Sequence, residues 1–333
     1  MKHNTFSKFN KVLISLLITQ SSTFVVTAKQ VDYSVTSVPE EAGLDFVQFT
    51  NESDYVCIAP VKRSKRGIEW MTNRILSVSP NGNELAYLSL RNGLTNIFIK
   101  DINKKGAARQ RTNRANVIDF TYSPDGDEIC FTENKHNSTQ IFTTDAHDGY
   151  IYRQITSESE DYSPTYSTDM SIIFFTRLEA LGMSIWGLDL ERKFLASYTS
   201  GMNPYPSITE NALYVARTNS DNKGEIWKIN FDTGIEECII SHPTTSFYSP
   251  TVSPDGRKLL LVGGSKIEDN KFVYWNTDIY VCNIDDTDLR QITYHAADDI
   301  SPIWSADGKY IYFISQLENS NGTANVWRII YHE

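Results

Sequence analysis

A short phrase, Ser-Pro-Asp-Gly or a degraded form of it, returns six times along this chain, and the same strand-like pattern follows each return. The copies are Ser79-Pro80-Asn81-Gly82, Ser123-Pro124-Asp125-Gly126, Ser167-Thr168-Asp169-Met170, Ser207-Ile208-Thr209-Glu210, Ser253-Pro254-Asp255-Gly256 and Ser305-Ala306-Asp307-Gly308. They are 44, 44, 40, 46 and 52 residues apart, the period of a four-stranded propeller blade rather than of a helical solenoid. The chain should therefore be all-β, a six-bladed β-propeller of four-stranded antiparallel blades.

Each unit carries the chemistry that such a blade needs. A first strand such as Ser249-Pro250-Thr251-Val252-Ser253 runs into the phrase. There Pro presets one corner, Asp bonds neighbouring amides and Gly accepts a positive φ, which closes a tight hairpin. Met170 and Glu210 occupy the Gly slot in two copies, and Asn211 is expected to take the left-handed conformation for Glu210. Dense apolar runs follow, such as Leu259-Leu260-Leu261-Val262 and Tyr310-Ile311-Tyr312-Phe313, and imply burial on both faces of a second strand. The third strand repeats an aliphatic-aromatic pair: Ile97-Phe98, Ile141-Phe142, Ile185-Trp186, Ile226-Trp227, Ile279-Tyr280 and Val326-Trp327. One aromatic at one place in every unit reads as packing between blades.

Fourth strands end units in phrases such as Arg290-Gln291-Ile292-Thr293, but the last unit stops after Val326-Trp327-Arg328-Ile329 without one. The stretch Asp45 to Thr50 has the form of the missing strand. It is expected to complete the last blade, pairing the two ends of the chain and removing an exposed sheet edge.

A 40% hydrophobic, 12% aromatic chain of 333 residues has ample material for one large core. Its net charge of -10 argues against a nucleic-acid binder, which needs a basic surface. At the start, Lys2, Lys8 and Lys11 precede the apolar run Val12 to Ile18 and a small-residue site at Val26-Thr27-Ala28. This reads as a secretory signal peptide over 1–28, then a short segment 29–43, then one propeller domain over 44–333, with no transmembrane segment once the signal is removed. A periplasmic or secreted location follows. Cys57, Cys130, Cys238 and Cys282 show neither close pairing nor metal spacing and read as buried free thiols.

With its turn phrases and aromatic strands, the chain resembles the TolB-like β-propeller repeat family over roughly Leu44 to Tyr331. The resemblance implies export and a propeller that serves as a binding platform in the cell envelope, here without the α/β domain that precedes the propeller in TolB. Related propellers gate prolyl-oligopeptidase enzymes, but the Gly-x-Ser-x-Gly elbow of their hydrolase domain does not occur in this sequence. Oligogalacturonate-lyase propellers are similar in their repeats and work through a metal held by His and Gln.

In a propeller, the loops between one blade's outer strand and the next blade's inner strand gather at one mouth of the channel. Here they carry Asp119, Glu160 with Asp161, Asn203, His242, His295, Asp298 and Asp299. His242 and His295 each follow a fourth strand, so they could approach one locus with the acids and supply ligands to a divalent cation. No cofactor is otherwise expected. Between Lys62 and Arg114 twelve basic residues face three acidic ones. Lys62, Arg63, Lys65, Arg66, Arg109, Arg111 and Arg114 thus make the first blade and its entry loop an electropositive surface for an anionic protein or envelope partner. The long insertion Asp54 to Thr72, with Trp70, is expected as a loop near that surface. The expectation is a monomeric, exported, non-enzymatic binding scaffold. The alternative is a lyase, hydrolase or carbohydrate-binding propeller using the histidines and acids at the mouth.

Overall fold

The protein is described by a computed structural model covering residues 46–57, 62–64, 67–69, 74–113, 116–135, 138–149, 151–157, 159–269, 272–285, 287–317 and 323–332. The expected signal peptide, the segment 29–43, Lys65, Arg66, Trp70 and Arg114 lie outside the described residues. Six four-stranded antiparallel sheets follow one another along the chain as the blades of a propeller. In blade three, for example, the order from the axis outward is Asp161–Tyr166, Ile172–Glu179, Gly182–Asp189 and Leu195–Ser200. Among the described residues no helix is long and apolar enough to cross a membrane.

Each turn phrase closes by one small network, which explains why Ser and Asp recur. Ser253 Oγ donates to Asp255 Oδ1 at 2.6 Å and accepts the amide of Lys258 at 2.9 Å, while Asp255 Oδ1 accepts the amide of Arg257 at 3.1 Å. Ser123, Ser167 and Ser305 repeat the arrangement with Asp125, Asp169 and Asp307. Asn81 performs the same task for Ser79. Gly82, Gly126, Gly256 and Gly308 take positive φ, and Met170 does so despite its side chain, at φ 61°. The fourth copy departs from expectation. Asn211 is not left-handed; the Ala212 amide instead bonds the Glu210 carbonyl at 2.9 Å, so this turn closes without a left-handed residue after it.

The second strands are buried throughout, as their apolar runs require: Leu259, Leu260, Leu261, Ile311 and Phe313 lose essentially all solvent contact. The third-strand aromatics divide. Phe98, Phe142 and Trp327 are buried between blades, whereas Trp186 and Trp227 are half-buried under the guanidinium groups of Arg177 and Arg217, each 4.6 Å from the ring centre. Cys57, Cys130 and Cys282 are buried free thiols, but Cys238 is exposed, because it lies on the outer strand Glu236–Ile240 that no further blade layer covers. The 52-residue last step is taken up by two twelve-residue strands, Lys258–Asp269 and Phe272–Asn283. Part of the expected loop after Asp54 is an antiparallel pair, Lys62–Ser64 with Gly67–Glu69.

The ring closes as the ends of the chain imply. Val47–Gln48 pairs with Asn325–Ile330 as the fourth strand of blade six, Val47 opposite Arg328 and Gln48 opposite Trp327. The chain then crosses to blade one, where Asp54 is buried and accepts hydrogen bonds from Tyr87 Oη at 2.9 Å, Arg91 Nη2 at 2.8 Å and Lys100 Nζ at 3.0 Å. Burial by itself would raise its pKa. The Asn51 amide, Lys100 and Tyr87 together outweigh that and hold it below the ordinary carboxylate value.

Two outcomes follow from these networks. Asp54→Asn removes the charge that two cations share, and should cost about 2–3 kcal/mol at neutral pH, read from the urea unfolding midpoint. In the turns, the Ser253 hydroxyl is the main reason that the Asp255 pKa falls to about 2. A lowered folded pKa gives stability that is complete above the unfolded value and disappears as pH falls toward the folded one. Asp255→Asn, which keeps the acceptor as Asn81 does, should therefore lose less of its unfolding midpoint than the parent between about pH 5 and pH 2.

Candidate functional site

Four residues before the turn serine, at or just before each inner strand, stand Ile75, Asp119, Ser163, Asn203, Ser249 and Ser301 in blades one to six. All six are buried. In blades three to six this residue has a positive φ, between 49° and 54°, and sits in a break of register with the second strand, as between Tyr162 and Thr165. The bulge turns a small polar side chain toward the neighbouring blade. Ser163 donates its amide to Asp119 Oδ2 at 2.9 Å, Asn203 Nδ2 donates to Ser163 Oγ at 3.1 Å, and the Ile75 amide donates to Ser301 Oγ at 2.8 Å. The expected mouth residues Asp119 and Asn203 thus belong to a belt that ties blade to blade. Ser163, Ser249 and Ser301 are missing from the sequence-derived set, although their fixed distance from the turn serine was there to be read.

Blade one has Ile75 in the belt, and Arg74 beside it does something different. Its Nη2 donates to the carbonyl oxygen of Pro204 in blade four at 3.1 Å, and its guanidinium lies over the Tyr205 ring, 4.9 Å from the centre. Blades one and four stand opposite each other in a ring of six. A single side chain therefore reaches across the axis at this level. Arg74 is only 5% exposed, and its Nη1 makes no hydrogen bond. Burial lowers its pKa, while Tyr205 and Asp119 act in the opposite direction.

The other expected residues are found in separate settings. Asp161, fully buried, is held in a fork by Arg177, with Nε at 2.7 Å and Nη2 at 3.0 Å, and also accepts Ser159 Oγ at 2.6 Å. Glu160 accepts the hydroxyl of Tyr162 at 3.1 Å. His295 and Asp299 are buried together with Nε2 and Oδ2 3.1 Å apart, and the His295 ring stands edge-on to Phe46 of the closing segment. Asp298 accepts the amide and hydroxyl of Thr277 at 3.1 and 2.9 Å. His242 is exposed, and its Nδ1 accepts the amide of Thr245 at 3.2 Å. His295 is brought together with Asp299, whereas His242 bonds Thr244 and Thr245 and stands edge-on to Phe247 of the inner strand that follows. Among the described residues no three His, Cys, Asp or Glu side chains are grouped closely enough to hold a metal ion.

On the first blade, Arg109 is exposed and pairs with Glu84, and Arg111 is half-buried. Lys62 lies opposite Glu69 and Arg63 opposite Ile68 in the short strand pair. An open groove of about 710 Å³ runs along the closure seam, lined by Tyr55, Leu90, Arg91, Phe98, Lys100 and Gln110 among others. Tyr55 and Leu90 are exposed at its rim. The groove combines apolar surface with two cations that share the single carboxylate of Asp54. Sequence reading missed it because Asp54 and its partners are 33 to 46 residues apart in the chain.

The family model described as TolB beta propeller domain matches residues 17–242. A search of curated proteins found no match. Among solved structures, the chain is similar to a TolB of Agrobacterium tumefaciens, with 14% identity and a TM-score of 0.60, over 82% of this chain and 97% of that one. TolB of Acinetobacter baumannii follows at 16% identity and a TM-score of 0.59, over 75% of this chain and 64% of that one. An oligogalacturonate lyase of Vibrio parahaemolyticus shares 12% identity with a TM-score of 0.53, over 87% and 97%. At such identities these likenesses speak for the fold alone.

The spanning side chain is open to test. Arg74→Met leaves the Pro204 carbonyl without its donor and Asp119 without a nearby cation, and should destabilise the protein by roughly 2–3 kcal/mol, measured by urea unfolding at neutral pH.

Proposed function

Because the chain belongs to the TolB β-propeller domain family, we propose that it is an exported binding scaffold, resident in the periplasm, that holds a protein or cell-envelope partner on its electropositive first blade. One observation carries this reading: the seam groove is a solvent-open concavity in which exposed apolar side chains stand beside Arg91 and Lys100. Lys104 and Lys105 are exposed near the same blade edge, in a chain whose total charge is -10. Such a local reversal of sign steers an anionic partner toward one face.

Support also comes from the channel end. A lyase or hydrolase reading would have to run on the acids and histidines there, but Asp161 is engaged by Arg177, Asp298 by Thr277, and His295 and Asp299 are closed off from solvent. A partner-binding role needs none of them to be free. It needs a rigid scaffold and an exposed, chemically distinct face.

A photo-crosslinking residue at Tyr55, on the groove rim, tests the reading in cells that make the protein. It should trap one envelope partner in place of a smear, and capture should fall with added salt as exposed charges are screened beyond about 10 Å. Charge reversal at Lys62, Arg63, Lys104 and Lys105 to Glu should abolish the adduct while leaving the thermal midpoint in place. An adduct of equal yield from the reversed variant would overturn the proposal.

A further inference from the structure

The seam groove holds more positive charge than its own walls balance. Of the side chains that line it Asp54 alone is acidic, whereas Arg91 and Lys100 are both cations. Asp54 cannot answer for both. Its Oδ1 accepts Tyr87 Oη and Arg91 Nη2, and its Oδ2 accepts the Asn51 amide and Lys100 Nζ, so donors already fill the carboxylate. Lys100 gives Asp54 one of the N–H donors of its ammonium group, and Arg91 Nε, although buried, makes no hydrogen bond. Both side chains stay reachable, with 24% of Arg91 and 14% of Lys100 exposed. Lys105, exposed beside Gly106 of the lining, adds a further cation, while the exposed Glu52 is not part of the lining.

The groove is also fixed before anything enters it. The Arg91 guanidinium is backed by the Phe98 ring, 4.7 Å from its centre, and Lys100 Nζ by the Phe49 ring at 5.7 Å. At the rim, the Tyr55 amide bonds the Glu52 carbonyl at 3.2 Å and its carbonyl accepts the Leu90 amide at 2.9 Å, which holds the backbone under both exposed apolar side chains. A site set in this way loses little freedom on binding.

We infer that the groove takes an extended peptide segment of a protein partner, in which an acidic side chain meets Lys100 and Arg91 while apolar neighbours rest against Tyr55 and Leu90. This rests on the reading of the seam as a partner face and names the chemistry of what that face holds. Donors without acceptors call for an acceptor, and two cations on one filled carboxylate call for an anionic one. The apolar rim calls for hydrophobic groups beside it. A membrane or a nucleic acid would bring an extended anionic surface against a chain whose total charge is -10, whereas a single peptide strand presents its charge to the groove alone.

Titration of the purified chain with two end-blocked pentapeptides, Ala-Leu-Glu-Leu-Ala and Ala-Leu-Gln-Leu-Ala, separates the acid from the apolar contact. The Glu peptide should bind at least about fivefold more tightly, and its advantage should shrink as salt is raised. Ala107 is exposed on the groove wall and is not among the groups bonded to Asp54, so Ala107→Glu adds a competing carboxylate and leaves that network in place. It should erase the advantage of the Glu peptide with the thermal midpoint unchanged. Equal binding of the two peptides would overturn the inference, as would no binding of either below about 2 mM, or an advantage that Ala107→Glu leaves intact. So would capture of the chain by phosphatidylglycerol vesicles when neither peptide binds, which would give the groove to a membrane instead. The adduct at Tyr55 in cells keeps the two readings apart: an adduct together with equal peptides leaves a partner face and removes its acidic occupant.

Discussion

Everything else in this molecule depends on how residues 46–57 close the ring. Val47 and Gln48 give blade six its fourth strand, and the Phe49 amide continues the pairing to the Val326 carbonyl at 2.8 Å. Thr50 Oγ1 accepts the Val326 amide and donates to Asn325. Val56 then bridges both Ala324 of blade six and Ser89 of blade one, and the Cys57 amide bonds the Leu88 carbonyl. One short segment is thus bonded to the last blade and to the first. A propeller has few contacts between blades that are local in sequence, so a closure of this kind turns an open array, which could unwind from an end, into a cooperative unit.

A closed ring fixes the distances across its axis, and the polar interior depends on that. Along the belt of small polar side chains, Ser163 bonds Asp119, Asn203 bonds Ser163 and Ile75 bonds Ser301, each between neighbouring blades. Arg74 reaches the opposite one. A buried guanidinium is costly unless its donors are met, so the contact with Pro204 and the ring of Tyr205 must be held in place by blades that do not move apart. The axis is consequently crossed and lined by structural contacts, while the seam groove lies on the outside.

The repeat, the blade count and the closing strand were legible because each is written in local residue chemistry: a turn phrase, a run of apolar residues, a last unit lacking its fourth strand. The turn chemistry was legible in part: Asp as acceptor of a neighbouring amide and Gly at positive φ were read, whereas the Ser hydroxyl that accepts the amide five residues on was not. The sites were not. Asp161 looked like a candidate ligand, yet Arg177, sixteen residues on, meets it across a hairpin, and only the strand register makes that visible. Arg74 looked like one more residue of a basic cluster, because its role depends on a blade 130 residues away. Asp54 was read as the start of a loop, since Tyr87, Arg91 and Lys100 become its neighbours only when the ring closes. His242 and His295 hold equivalent places after their fourth strands, but His295 has Asp299 within reach while His242 meets Thr244, Thr245 and the Phe247 ring.

The central claim, that the closing segment and the blades form one cooperative structure, is tested most directly by native-state amide hydrogen exchange. The amides of Phe49, Cys57 and Val326 are bonded across the seam, and those of Ile311 and Phe313 lie within the buried second strand of blade six. If closure holds the ring, both sets exchange only through global unfolding, with the same opening free energy and the same dependence on denaturant. Seam amides that exchange through a separate, lower-energy opening while the strand amides stay protected would contradict it.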